Sequence, residues 1–372
     1  MKDIRKVGIV SYNMYGNFTN YGSALQTYAL HTVLNNLDPE NLKSIVVDYC
    51  PDILLHKDIL NPMDNMWDTD NAARERCRLS LPAIRINYDK FKAFYRSGYD
   101  LSSTRYTSEN FNNSLDDEKL AGYVCGSDTI FAVPEFGFDD GYYANYEAMR
   151  GRSVAYAASF GDYEIPEEHL PHLKSHLDNF NSIALRENDK IETVQALYHK
   201  PLYKVVDPTL LLDAEDYDKI AEAPKNRKPY LLLYSRRSNP RMDESAEKFA
   251  CENGLEIVEI SLNAENADRH IMRYDAGVEE FLGLVKNAEM VITNSFHGMI
   301  FAVQFRRPFY IFSRKLCDTK IQELLALFGI EGRLVSESMV PNAADIDFDM
   351  VHSRIATERE KSIEVLKSML NI

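Results

Sequence analysis

Short runs of β-branched and aliphatic residues alternate along the chain with longer stretches whose apolar side chains return every three or four positions. VGIVSY (Val7–Tyr12), SIVVDY (Ser44–Tyr49), GYVCGSD (Gly122–Asp128), SVAYAASFG (Ser153–Gly161), SIALREND (Ser182–Asp189) and KVVDPTLLL (Lys204–Leu212) have the strand pattern. Between the first two, NYGSALQTYALHTVLNNL (Asn20–Leu37) sets Leu25, Ala29 and Val33 on one face, which predicts a helix. Strands alternating with helices imply a parallel sheet covered on both faces. The alternation breaks at Ala214–Pro229, a charged, proline-containing segment that reads as a connection between domains. It then resumes with the strands PYLLLYS (Pro229–Ser235), LEIVEIS (Leu255–Ser261), MVIT (Met290–Thr293) and PFYIFS (Pro308–Ser313). Helical stretches run over Val278–Ala288, Ile321–Ile330 and Ile355–Leu370. No internal repeat or low-complexity segment is visible. The expected architecture is α/β, with two Rossmann-like domains, 1–215 and 216–372, facing a central cleft. Open sheets of this kind bind ligands at the carboxyl ends of their strands.

Composition narrows the function classes. At 372 residues the chain exceeds one ordinary core, consistent with two domains. A net charge of -15 repels nucleic acid over most of the surface, so no nucleic-acid partner is expected. Five scattered cysteines without a CxxC pair argue against a disulfide framework or structural zinc and fit a reducing cytoplasm. No apolar run approaches the length of about eighteen residues that spans a bilayer. MKDIRKVGIVSYN lacks the apolar stretch of a secretory signal.

Candidate chemistry sits where strands end. In MVITNSFHGMIFAVQF a strand passes through Asn294–Gly298 into a helix. Asn294 or Ser295 can cap that helix. Its N-terminus is a seat for an anion, Gly298 allows close approach, and His297 either adds a titratable donor or is a satisfied, partly buried histidine. Arg186 directly follows the strand SIAL. It either grips a carboxylate or phosphate or pairs with Glu187 or Asp189. Asp128 ends GYVCGSD and either orients a hydroxyl or caps the next segment. Asn20-Tyr21-Gly22-Ser23 opens the first helix and offers backbone donors and the Asn20 amide. It matches neither GxGxxG nor GxxxxGK[ST], which leaves dinucleotide and P-loop binding unsupported. Asp207 before Pro208 reads as a structural turn, and Arg306 and Arg307 either pair on the surface or reach a second anion. No HExxH, GxSxG or metal-ligating cluster is present.

Together these segments resemble the polysaccharide pyruvyl transferase family. The resemblance runs through GIVSYNMYGNFTNYGSALQTYAL, VCGSDTIF, SVAYAASFG, the ALREND arginine, VVDPTLLL and, most distinctively, EEFLGLVKNAEMVITNSFHGMIFAVQFRRPFY. Thr129-Ile130-Phe131 departs from the family's usual Gln and Trp after the Gly-Ser-Asp element, a difference that bears on acceptor recognition. The resemblance implies a fold similar to the two-domain glycosyltransferase B architecture. It also implies a phosphoenolpyruvate-dependent ketal pyruvyltransferase, with phosphoenolpyruvate as co-substrate and no other cofactor or metal. Two hydroxyls of a sugar would receive the pyruvate as a cyclic ketal, with release of phosphate. His297, Arg186 and Asp128 are then the expected catalytic residues. Asn20, Tyr21, Gly22, Ser127, Asn294, Ser295, Phe296 and Gly298 are the expected substrate-binding residues.

Arg74, Arg76, Arg78, Arg85, Lys90, Lys92 and Arg96 form a local basic excess that is either a solvated helix face or a contact for anionic lipid. On the second reading the acceptor is an undecaprenyl-diphosphate-linked oligosaccharide, and the protein is cytoplasmic and peripheral at the inner membrane face. Alternative functions are a nucleotide-sugar-dependent glycosyltransferase of the same architecture and a non-catalytic sugar- or anion-binding subunit of polysaccharide assembly.

Overall fold

The computed structural model describes residues 4–12, 15, 19–58, 60, 71–225, 228–314, 318–335 and 345–372. The first lobe is a seven-stranded sheet built from β1 (Arg5–Val10), β2 (Leu42–Tyr49), β3 (Leu101–Tyr106), β4 (Gly122–Cys125), β5 (Ser153–Ala158), β6 (Phe180–Leu185) and β7 (Leu202–Lys204), in the order β3-β2-β1-β4-β5-β6-β7. The second has six strands, β8 (Tyr230–Tyr234), β9 (Glu256–Ile260), β10 (Ile271–Met272), β11 (Met290–Thr293), β12 (Phe309–Phe312) and β13 (Leu334–Val335), in the order β10-β9-β8-β11-β12-β13. Every pairing is parallel. In each sheet the strand order reverses beside its first strand, β1 or β8, and the crevice opens there at the carboxyl ends. The expected α/β class with two Rossmann-like sheets is what the chain forms.

The strands read from the pattern are present with one exception, mostly shortened at their carboxyl ends. SVAYAASFG and SIALREND stop at Ala158 and Leu185. KVVDPTLLL does not form the expected strand: β7 ends at its first residue, Lys204, and the rest is a connection containing the turn Pro208–Leu210. The trimmed ends include Asp128, Arg186 and Glu187, together with the buried core residue Phe160. Three edge strands, β3, β10 and β13, and the helix Pro240–Asn253 carried too weak a pattern to be read. The segment taken as a bare connection holds a short helix, Ala214–Asp218, started by a capping box in which Asp213 accepts from the Asp216 amide.

The lobes share one apolar core. Tyr21, at the start of the helix Tyr21–Leu37, stacks on Phe281 with ring centroids 4.4 Å apart and meets Tyr234 edge-on at 5.7 Å. Its hydroxyl donates to the Ala276 carbonyl at 2.7 Å. The last helix, Phe348–Leu370, straddles both lobes: His352 bonds the Val303 carbonyl at 2.9 Å, while Ser362 and Arg359 bond Val206, Leu210 and Leu212. That helix lies within the expected 216–372 span and also bonds the connection after β7.

The basic run lies on one long helix, Asn71–Gly98, where the side chains of Arg74 and Arg76 fall outside the described residues. Arg78 pairs with Glu75 at 2.6 Å, and Lys90 reaches across to Glu280 at 2.5 Å. Among the described residues no helix is long and apolar enough to cross a membrane.

Candidate active site

Two helices, one from each lobe, meet at their N-termini. Asn20 caps Tyr21–Leu37, its side chain accepting from the Gly22 and Ser23 amides at 3.1 and 3.4 Å. Ser295 caps Phe296–Gln304, accepting from the Gly298 amide at 3.2 Å. Helix starts leave N–H groups without intrahelical partners and carry partial positive charge, so their meeting favours an anion. His297 fills the junction. A methyl group on Gly22 would lie 2.0 Å from its Nδ1 and 2.4 Å from its Cγ, so only glycine admits the imidazole there.

Below the junction, a buried arginine collects carboxylates. Arg186 donates from Nε to Glu187 at 2.8 Å and from Nη1 to Asp207 at 2.7 Å, and its Nη2 lies 3.7 Å from Asp128. The Phe296 ring covers the guanidinium with its centroid 5.0 Å away. Asp207 joins this cluster to the second lobe. One of its oxygens takes the Thr209 amide and hydroxyl, and the other serves Arg186 and lies 3.5 Å from His297 Nε2. Burial alone pushes the Asp207 carboxyl up. The neighbouring His297 and Arg186 outweigh it and hold the group well below the usual carboxylate range. Arg186 and His297, 111 positions apart in the chain, therefore converge on one carboxylate.

Asp128 lies on the first-lobe side, at φ 71°, a left-handed conformation unusual for aspartate. Ser23 donates to its Oδ2 at 2.8 Å, and its carbonyl accepts the Ile130 and Ser159 amides. Burial raises the carboxyl, and the charges of Arg186, His297 and Lys320 reverse the direction and keep it lowered. Glu135, on the single turn Val133–Phe136, is fastened by Thr129, whose hydroxyl donates to Oε2 at 3.1 Å. Burial, then the negative charge of Asp128, push Glu135 up to about 7 against the pull of Lys320 and Arg314. Lys320 sits 5.6 Å over the Phe296 ring and is nearly as buried as His297. Beside these groups a cavity of about 190 Å³ opens between the ends of β6 and β7 and the helix Asp318–Phe328, lined by Arg186, Asp207, Phe296, Lys204, Lys320 and Glu323 among others.

The structure gives several of the expected site residues partners within the protein. Tyr21 is sealed in the contact between lobes. Ser127 is wholly buried, its hydroxyl bonded to the Ala157 carbonyl and its amide to Gln26, so it shapes the loop ahead of Asp128. Asn294 spans the Arg236 amide and the Arg237 carbonyl at 2.7 and 2.8 Å and locks the segment after β8. Gly298 answers a packing need: a methyl there would meet Thr293 Oγ1 at 2.7 Å and Tyr234 at 2.8 Å. Arg186 makes the pairing with Glu187 that is one of its two readings, its charge is shared by three carboxylates, and its Nη2 has no hydrogen-bond partner. Asp207, read as a turn, is both the cap of that turn and the bridge to His297. The rule that singled out Arg186, a polar residue just past a strand, would also have found it. Glu135 and Lys320 carry no sequence signal, because only the approach of the lobes brings them near Asp128. Arg306 pairs with Asp349 at 2.6 Å, the surface arrangement expected of it.

Two parallel-sheet lobes, with a buried Asp–Arg–Asp–His cluster at abutting helix starts between them, make an architecture of glycosyltransferase B type. Solved structures of that shape include UDP-N-acetylglucosamine 2-epimerase from Rickettsia bellii, 12% identical over 98% of this chain and 97% of that one with a TM-score of 0.54. The S. aureus MnaA–UDP co-structure is 14% identical, covers 99% and 97%, and has a TM-score of 0.52. A glycosyltransferase from Rickettsia africae is 9% identical over 99% of both chains with a TM-score of 0.50. At these identities the likeness is one of fold. Among curated protein sequences none matches significantly. The family profile of polysaccharide pyruvyl transferases matches residues 20–315, and the chain belongs to that family of transferases.

Proposed function

We propose that the protein transfers pyruvate from phosphoenolpyruvate to two hydroxyls of a sugar in a surface-polysaccharide precursor, forming a cyclic ketal and releasing phosphate. The observation that carries this reading is the division of charge across the cleft. The second lobe contributes His297, Lys320 and the start of Phe296–Gln304, with Arg236 and Arg314 close enough to act on Tyr12 and Glu135. The first lobe contributes Asp128, Asp207, Glu187 and Glu135, with Arg186 among them. A donor bearing a phosphate and a carboxylate suits the cationic side. Sugar hydroxyls that must lose protons suit the carboxylates. His297, steadied by Asp207, is placed to hold or protonate the departing phosphate. Arg186 sets the geometry of Asp128 and Asp207 and offers Nη2 to the donor.

The acceptor is an oligosaccharide on a lipid diphosphate. Arg85 and Arg96, with the exposed Leu79 and Ile86, form the face of the long helix left to meet an anionic membrane. The test is phosphate release from phosphoenolpyruvate over a panel of lipid-linked and nitrophenyl glycosides, with products identified by mass spectrometry. Thermal stabilisation by UDP- or GDP-sugars and none by phosphoenolpyruvate would replace this reading with nucleotide-sugar transfer.

A further inference from the structure

Resting on that reaction, we propose that Glu135 is the acid that protonates the methylene carbon of phosphoenolpyruvate, working as a pair with Asp128, the base for the first acceptor hydroxyl. The two carboxylates come from adjoining turns of one segment, Asp128 just past β4 and Glu135 on the turn Val133–Phe136. Thr129 lies between them, and its amide donates to Asp128 at 3.0 Å while its hydroxyl donates to Glu135 at 3.1 Å. Asp128 is tied down further by Ser23 and faces Arg186. Glu135 is held at Oε2 alone; among the described residues Oε1 accepts no hydrogen bond.

The charged and titratable groups around Glu135 are Asp128 from its own lobe and Lys320 and Arg314 from the other, and Tyr12 senses Glu135, Asp128 and Arg236 together. This environment divides the pair. Asp128, beside Arg186 and His297, stays ionised and can accept a proton, whereas Glu135, beside Asp128, is pushed up to about 7 and titrates near neutral pH. A bound trianionic donor adds negative charge and raises Glu135 further, while Arg186 and His297 keep Asp128 paired with cations.

The proton balance closes within the site. The first hydroxyl oxygen bonds C2 and passes its proton to Asp128, while Glu135 gives its proton to C3 and turns the methylene into a methyl group. The C2–O bond to phosphate breaks and its electron pair leaves with phosphate. The second hydroxyl then closes the ketal, and its proton departs with the phosphate. One proton moving from Asp128 to Glu135 restores both groups.

The experiment compares wild type with Glu135→Gln, which keeps the Thr129 bond but has no acidic proton, and with Glu135→Asp. Binding of phosphoenolpyruvate is measured by calorimetry from pH 6 to 8.5, together with phosphate release. Wild-type affinity should fall by up to about tenfold per pH unit above the titration of Glu135, and in Glu135→Gln this dependence should vanish. Turnover of Glu135→Gln should drop about 10²- to 10⁴-fold with KM for phosphoenolpyruvate little changed, and Glu135→Asp should recover part of it. An unaltered pH dependence of binding in Glu135→Gln, or turnover within a few-fold of wild type, would overturn the assignment of Glu135 and leave the pyruvyl transfer standing. Absence of phosphoenolpyruvate binding by the wild type at every pH would remove the reaction itself, and this proposal with it.

Discussion

Gly22→Ala isolates the junction between the lobes. A carbon placed 2.0 Å from His297 Nδ1 stands far inside van der Waals contact, so the imidazole must retreat by about 1.5 Å. The ring cannot move freely, since Phe296 and Asp207 bound it on other sides. Displacing a catalytic group by about 1 Å costs on the order of 10²-fold in rate. The effect on stability is smaller. Overpacking costs about 1–3 kcal/mol, and replacing glycine by alanine in a helix returns up to about 1 kcal/mol. Gly22→Ala should therefore remain folded with a modestly lowered Tm while phosphoenolpyruvate-dependent phosphate release falls at least about a hundredfold. Melting curves and a coupled phosphate assay on the same preparation read both quantities. Wild-type turnover in a folded Gly22→Ala protein would show that the His297 position does not matter and would refute the placement of the site at this junction.

Other expectations follow from the same geometry. Asp207→Asn removes the carboxylate shared by Arg186 and His297 and should cost about 3–5 kcal/mol in urea unfolding, because a buried charge loses its partner. Asp207 has a lowered folded pKa, so its contribution is complete above the unfolded value of about 4 and is lost as pH falls below it. Stability of Asp207→Asn should accordingly be flatter than wild type in that acid range. His297→Ala and Arg186→Ala should each cut turnover by orders of magnitude. Only Arg186→Ala should also melt early, since it leaves three buried carboxylates without their cation. Tyr21→Phe keeps the ring stack and loses the bond to Ala276, so about 1 kcal/mol of stability should go with little change in KM.

Much of the architecture was legible because strand and helix periodicities are local properties of the chain. The runs at Val7, Ser153, Tyr230 and Met290 are buried on both faces of parallel sheets, so they appear as unbroken apolar strings. The short edge strands β10 and β13, two residues each, were not legible, because their order comes from neighbours rather than from their own pattern.

The site divides along the same line. The sequence by itself determined that polar residues stand at strand ends and that Ser295–Gly298 opens a helix, since caps and turns are settled by a few adjacent residues. Tertiary structure alone decided which of them meet. It brought Asp207 between Arg186 and His297, set Gly22 against the imidazole and placed Glu135 and Lys320 in each other's field. It also gave Tyr21, Ser127 and Asn294 partners within the protein, at the lobe contact, the loop before Asp128 and the segment after β8. Contacts across more than a hundred residues depend on how two sheets dock, and docking is fixed by the shape of the shared core around Tyr21 and Phe281, which no local pattern records.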